Sequence, residues 1–159
     1  MVRVLIVCMG NICRSPMAEG VLRRMVDEAG LAEAIAVASA GTHSYHVGSA
    51  PDERSQQAAL HRGIDLGAIR AKQVAPADLD TFDYLLAMDR DNYRHLLSYC
   101  AKSEHRKKIR LFMEYAPDLS EREVPDPYYG GINGFERVMD LIEEASRGFL
   151  AHLRAQHGL

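Results

Sequence analysis

An apolar run, Val4-Leu5-Ile6-Val7, leads directly into Cys8-Met9-Gly10-Asn11-Ile12-Cys13-Arg14-Ser15-Pro16, and a helical pattern follows in Ala18, Val21, Leu22, Met25, Val26 and Ala29. This juncture constrains the chain more than any other stretch. Apolar residues in a near-continuous run, here Val2 to Val7, mark a strand buried on both faces, as in a parallel sheet between helical layers. Cys8 stands where that strand gives way to a helix, and Arg14 follows six residues later. The five residues between them are enough to curl the backbone around a tetrahedral anion, with successive N–H groups turned inward as a nest. The helix that follows adds its unpaired N–H donors and the positive end of its dipole. Gly10 and Asn11 are the residue types that best tolerate left-handed backbone in a tight curl. Pro16 suits the first helical position, where no N–H is missed. Arg14 offers a planar fork to two phosphate oxygens, and Ser15 a hydroxyl to the sulfur or to the helix cap. The expected phosphate-binding set is therefore Met9, Gly10, Asn11, Ile12, Cys13, Arg14 and Ser15.

The same donors favour a thiolate at Cys8, which makes it a nucleophile towards phosphorus. Phosphoryl transfer depends chiefly on positioning and charge stabilisation, so the loop needs no metal or organic cofactor. It does need a proton donor, because a phenolate leaves poorly at neutral pH. Asp126, in Asp126-Pro127-Tyr128-Tyr129, is the candidate. Pro127 biases Asp126 towards extended backbone, which aims its carboxyl from a loop. Once ionised, the same group would activate water against the cysteinyl-phosphate. Tyr128 and Tyr129 suit the flanks of an aromatic leaving group. Tyr45, on a turn-rich loop from Gly41 to Pro51, is a third candidate for the substrate rim. His43 and His46 on that loop have no third metal ligand nearby in sequence and read as solvated loop residues.

Further along the chain, strands alternate with helices. Ile35 to Ala38 reads as a second strand, Asp52 to Arg62 as a helix ending at Gly63, and Ile64 to Gln73 as irregular. Pro76 to Leu79 is a short helical turn, Tyr84 to Met88 a third strand ended by Asp89, and Asp91 to Tyr99 a helix. Lys102 to Arg110 carries five basic residues and one acid, which reads as a solvated charge run. Ile109 to Met113 is a fourth strand. Phe135, Val138, Met139, Ile142, Ala145, Phe149 and Leu153 form one stripe on a final helix from Gly134 to Gln156. Right-handed βαβ crossovers then give an α/β fold with helices on both faces of a parallel sheet. The length, 159 residues, suits a single domain over 1–159.

The loop Cys8 to Pro16 resembles the active-site loop of the low-molecular-weight protein tyrosine phosphatases, and Asp126 to Tyr129 resembles their acid-bearing loop. Ser39-Ala40-Gly41-Thr42, and Thr81-Phe82-Asp83-Tyr84 through Met88-Asp89, are smaller echoes in matching order. The resemblance implies strand order 2-1-3-4, with the phosphate loop at the switch point after strand 1. It implies hydrolysis of phosphotyrosine and small aryl phosphates, with Cys8, Arg14 and Asp126 catalytic. Tyrosine-phosphorylated proteins would be partners, and inorganic phosphate or related oxyanions inhibitors. It also implies a redox role for Cys13, which would trap oxidised Cys8 as a reversible disulfide; an inert buried thiol is the alternative. Related arginine phosphatases tend to carry threonine where Ile12 stands, so Ile12 points towards phosphotyrosine. Two departures stand out. Members often have tryptophan where Tyr45 lies, and Ile69, before Arg70, replaces a histidine that normally helps to order the active-site loop.

Other classes fit less well. Thiol-dependent arsenate reductases share the loop but relay electrons through two further cysteines, whereas only Cys100 remains outside it. A phosphotyrosine-binding module would lose the nucleophile or the acid. A nucleotide-binding domain would place glycines and Lys-Ser/Thr in the loop. Three cysteines do not form a disulfide framework and fit a reducing, cytoplasmic setting. The first apolar run ends in the reactive loop, unlike a signal peptide, and no stretch is long enough to span a bilayer. A net charge of −3 gives no general attraction for nucleic acid.

Overall fold

The computed structural model describes residues 1–128 and 132–159. Four parallel strands form one sheet in the order β2-β1-β3-β4: β1 is Val2–Cys8, β2 Ile35–Gly41, β3 Tyr84–Ala87 and β4 Ile109–Leu111. Six α-helices accompany them among the described residues: α1 Arg14–Glu28, α2 Glu53–Leu60, α3 Asp78–Thr81, α4 Arg90–Leu97, α5 Ser103–Lys108 and α6 Ile132–His157.

The central strand explains the layering. Val4, Leu5, Ile6 and Val7 are all fully buried, yet they face opposite ways. Val4, Ile6 and Cys8 join the core built with Met17, Leu22, Phe112, Phe135, Phe149 and Leu153, on the α1 and α6 side. Leu5 and Val7 join a smaller core with Leu79, Leu85, Leu96 and Ile109, on the α3 and α4 side. Burial of each large side chain in these cores contributes about 1.5–3 kcal/mol, so both faces of β1 hold it in place. Since Cys8 ends β1, its position inherits that rigidity. Helix α6 closes onto the 3-10 turn Phe112–Tyr115 at Gly148, where a Cβ would lie 1.8 Å from the Tyr115 carbonyl oxygen.

The sheet order matches expectation, and several local features differ. The fourth strand stops at Leu111, because the chain tightens into the 3-10 turn that buries Phe112 and Met113 beneath α6. The second strand extends to Gly41, paired along its length with β1. Helix α1 begins at Arg14, so Pro16 is its third residue; the missing N–H is still one that no intrahelical partner would have used. The helix stops at Gly30, with φ +72° and a bond from Leu31 N–H to the Val26 carbonyl at 2.9 Å. The basic run is only partly solvated. It forms α5, which buries His105 against Asp80 at 2.8 Å and sends the Lys108 ammonium to the Leu79 carbonyl at 2.8 Å.

Candidate active site

The loop from Cys8 to Ser15 lies at the carboxyl end of β1, where the strand order reverses between β2 and β3, the usual ligand position in open α/β sheets. Its carbonyls are taken up by the surroundings: Thr42, His43 and Asp52 N–H donate to Cys8, Met9 and Ile12 at 2.9, 3.0 and 2.8 Å. Cys8 Sγ accepts from the Asn11 N–H at 3.3 Å and lies 3.0 Å from Ser15 Oγ. Ser15 thus serves the sulfur and does not cap α1 through its side chain.

The curl depends on Asn11. It alone among the described non-glycine residues has positive φ, at +57°. Gly10 does not share that conformation. Left-handed backbone costs an ordinary L-residue roughly 1–2 kcal/mol, and asparagine bears it best because its side chain can hydrogen-bond locally; here that buried side chain makes three bonds. Asn11 Nδ2 donates to Ser15 Oγ at 2.8 Å and to Ser39 Oγ at 3.0 Å, while Oδ1 accepts from the Lys72 N–H at 3.0 Å. Ser39 in turn donates to the buried carboxylate of Glu19 at 2.6 Å. The backbone of Lys72 therefore supports Asn11, and Ile69 packs against the main core. Gly41 sits directly behind the loop, where a Cβ would lie 2.7 Å from the Met9 carbonyl oxygen; only glycine permits that approach.

Arg14 is buried, with only 3% of its side chain exposed. One guanidinium nitrogen donates to Asp89 Oδ2 at 2.6 Å and to the Val124 carbonyl at 2.9 Å. The other lies 3.7 Å from Asp126 Oδ2. Burial alone would disfavour its charge, but Cys8, Asp89 and Asp126 together outweigh that and hold the guanidinium pKa above its ordinary value. Asp126 is one-third exposed, and its other oxygen accepts from the Tyr128 N–H at 3.0 Å.

Cys8, Arg14 and Asp126 line a cleft of about 300 Å³ together with Met9, Gly10, Ile12, Cys13, Tyr45, His46 and Tyr128. The predicted residues Cys8, Arg14, Asp126, Tyr45 and Tyr128 thus converge, while Asn11 and Ser15 act from behind. Tyr129 lies outside the described residues. Tyr128 has the Arg54 guanidinium over its ring at 5.4 Å, and Tyr45 stacks on His43 at 5.2 Å. Cys13 is buried as a free thiol, and desolvation, aided by the Asp52 charge, pushes its pKa up to about 12.

Sequence reasoning missed Asp89 as the partner of Arg14, and Ser39, Glu19 and Lys72 as supports of Asn11. It read His46 as solvated, yet His46 lines the cleft with its ring 6.5 Å from that of Tyr128. The one signal for Asp89 was its place at the end of a parallel strand.

A parallel α/β sheet with a cysteine and arginine in one loop at the switch point, opposite an aspartate, defines the class of cysteine-dependent phosphatases. Comparison with known proteins narrows the class. The chain belongs to the low molecular weight phosphotyrosine protein phosphatase family, whose sequence model matches residues 3–158. It is 40% identical to the human low molecular weight phosphotyrosine protein phosphatase, over 92% of each chain. Its structure is similar to that of a protein tyrosine phosphatase from Entamoeba histolytica, with TM-score 0.92, 38% identity and 99% of each chain covered. A Drosophila arginine phosphatase aligns with TM-score 0.88 and 33% identity, covering 95% of this chain and 97% of that one.

Proposed function

We propose that this chain, as one phosphatase domain, hydrolyses phosphotyrosine in proteins and small aryl phosphates through a cysteinyl-phosphate. The observation that carries the reading is the convergence of Cys8, Arg14 and Asp126 on one cleft. Cys8 Sγ attacks phosphorus, and an S–P bond forms as the bond from phosphorus to the phenolic oxygen breaks. Asp126 delivers its proton to that oxygen, so a neutral phenol leaves. Arg14 and the loop N–H groups of residues 9 to 15 hold the three remaining oxygens, whose charge spreads in the transition state. Water then attacks phosphorus, Asp126 takes its proton, and the S–P bond breaks to release phosphate and the Cys8 thiolate. Each step is complete with these groups, and the scheme requires no metal or organic cofactor.

Substrate preference follows from the walls. Ile12 presents an apolar surface where a flat ring would lie, with Tyr128 and Tyr45 at the rim. Inorganic phosphate and similar oxyanions would compete for the cradle. We place the reaction in the cytoplasm, because Cys8 and Cys13 must stay reduced for it to proceed. The scheme assigns no role to nucleic acid or to a membrane, and no helix among the described residues is long and apolar enough to cross one. Cys13 is assigned as the thiol that captures oxidised Cys8.

The test is hydrolysis of matched phosphotyrosine and phosphoarginine peptides, with and without a chelator. Phosphotyrosine should be turned over in either condition, and Cys8→Ser should abolish turnover while phosphate still binds. Substantial chelator-resistant activity in the serine variant would overturn the nucleophile assignment, and preference for phosphoarginine the substrate assignment.

A further inference from the structure

Asp126 must meet the leaving oxygen, yet its own side chain is lightly held. One oxygen accepts from the Tyr128 N–H at 3.0 Å, and the other lies 3.7 Å from an Arg14 nitrogen. The place of the acid therefore follows the place of Tyr128, two residues on, and whatever fixes Tyr128 also aims the proton.

Arg54, near the start of α2, has its guanidinium carbon 5.4 Å from the centre of the Tyr128 ring and 4.7 Å from that of Phe135. Phe135 is buried in the main core near the start of α6, so it is a rigid support. Asp52 sets the orientation of the guanidinium. Arg54 Nε donates to Asp52 Oδ1 and one terminal nitrogen to Oδ2, each at 3.0 Å. Such a fork of bonds lies in the guanidinium plane and leaves its faces to aromatic rings. The same bonds hold the Asp52 carboxyl below the usual carboxylate range.

Asp52 in turn belongs to the phosphate loop as much as to α2. Its N–H donates to the Ile12 carbonyl at 2.8 Å, and its Oδ1 caps the helix by accepting the Arg54 N–H at 2.9 Å. A cap needs only the Arg54 backbone, and an exposed ion pair contributes little by itself. The observed arrangement engages the whole guanidinium, between a carboxylate tied to the phosphate loop and a ring on the acid-bearing loop.

We propose that Arg54 is a positioning residue for the proton transfer. Held by Asp52 and Phe135, it fixes Tyr128 and, through the Tyr128 N–H, the carboxyl of Asp126 opposite Cys8. The inference rests on the phosphatase reading above. The proton passes from Asp126 to the leaving oxygen as before, and Arg54 takes no part in the transfer.

The test compares Arg54→Met with the parent in pre-steady-state release of phenol from phenyl phosphate and of nitrophenol from nitrophenyl phosphate. Acid catalysis is typically worth roughly 10²–10⁴-fold and a small misplacement forfeits part of it, so phenol release should slow about tenfold. Nitrophenol, a more acidic leaving group, should slow by less. The amide at position 54 still caps α2 and Asp52 still holds Ile12, so phosphate affinity should be unchanged. In an Asp126→Asn background the substitution should add no further loss, because no proton remains to be aimed. Arg54→Lys keeps the charge without the planar fork, should show the same leaving-group dependence, and carries the test should the Met variant fail to fold. Phenol release at the parent rate, an equal fractional loss for both phenols, or an undiminished loss in Asp126→Asn would each overturn the assignment. Exchange of the Tyr128 amide hydrogen, followed by NMR without substrate, judges the clamp apart from turnover. Arg54→Met should speed that exchange severalfold and leave the amide at position 54 unchanged; an unchanged Tyr128 rate would overturn the clamp even in an active phosphatase. Absence of phenyl phosphate hydrolysis by the unmodified protein would instead overturn the phosphatase reading, with the exchange measurement still deciding whether Arg54 holds Tyr128.

Discussion

Asp89→Asn isolates the ion pair that holds the catalytic arginine. Asparagine keeps the shape and an oxygen for the Asn92 N–H, which Asp89 caps at 2.8 Å, so helix α4 should stay intact. What is lost is the negative charge 2.6 Å from an Arg14 nitrogen. Breaking a buried ion pair by removing one partner costs about 3–5 kcal/mol, and a hydrogen bond to a charged group contributes about 1.5–3 kcal/mol. The lower range applies here, because the Asp89 side chain is 20% exposed and the Val124 carbonyl still accepts from Arg14 at 2.9 Å. Urea unfolding should therefore show the variant less stable by about 1.5–3 kcal/mol. Arg14 would also be drawn towards Asp126, now 3.7 Å away, which misplaces both groups. If that energy is lost equally from the transition state, kcat falls roughly 10–100-fold. Bound phosphate should narrow the stability gap, since it supplies the missing counter-charge and stabilises the folded state by mass action. A variant within about 0.5 kcal/mol of the parent, the ordinary scatter of a neutral surface substitution, with kcat unchanged, would refute the claim that Asp89 positions Arg14.

Two further predictions concern the chemistry. Asp126→Asn should slow the pre-steady-state release of basic phenols by roughly 10²–10⁴-fold and of strongly acidic phenols by less; an equal fractional loss for every leaving group would show that Asp126 shapes its loop without carrying the proton. The Cys13 thiol, with its pKa pushed up to about 12, is protonated at neutral pH, and thiol–disulfide chemistry proceeds through the thiolate. The fraction ionised rises about tenfold per pH unit below 12, so the sulfenic acid that peroxide forms on Cys8 should be captured as the Cys8–Cys13 disulfide up to about a hundredfold faster at pH 9 than at pH 7. Peptide mapping reads the linked pair, and a pH-independent rate, or a sulfinic acid on Cys8 with Cys13 free, would count against Cys13 as the capturing thiol.

The chemistry was legible because its main parts are contiguous. Nucleophile, anion cradle and arginine occupy Cys8 to Ser15, and a buried strand before a helix already implies where such a loop sits in a parallel sheet. The acid was legible only as an Asp-Pro on a distant loop. Local patterns failed where burial came from elsewhere in the chain. The apolar run Ile109 to Met113 looks like one strand, but α6 draws Phe112 and Met113 into a 3-10 turn. The basic run before it looks solvated, but Asp80 and the Leu79 carbonyl hold it to the neighbouring helix.

By itself, then, the sequence determined the reactive loop, the alternation of strands and helices, and the apolar faces that close over β1. Only the tertiary structure decided how that loop is held. Asp89 meets Arg14 from 75 residues away, Val124 from 110, and Lys72 reaches Asn11 from 61. A strained asparagine and a buried guanidinium each need partners that satisfy every polar atom, and such partners have no periodicity or spacing to mark them. They become neighbours only when the parallel crossovers bring the ends of β1, β2 and β3 to one edge of the sheet.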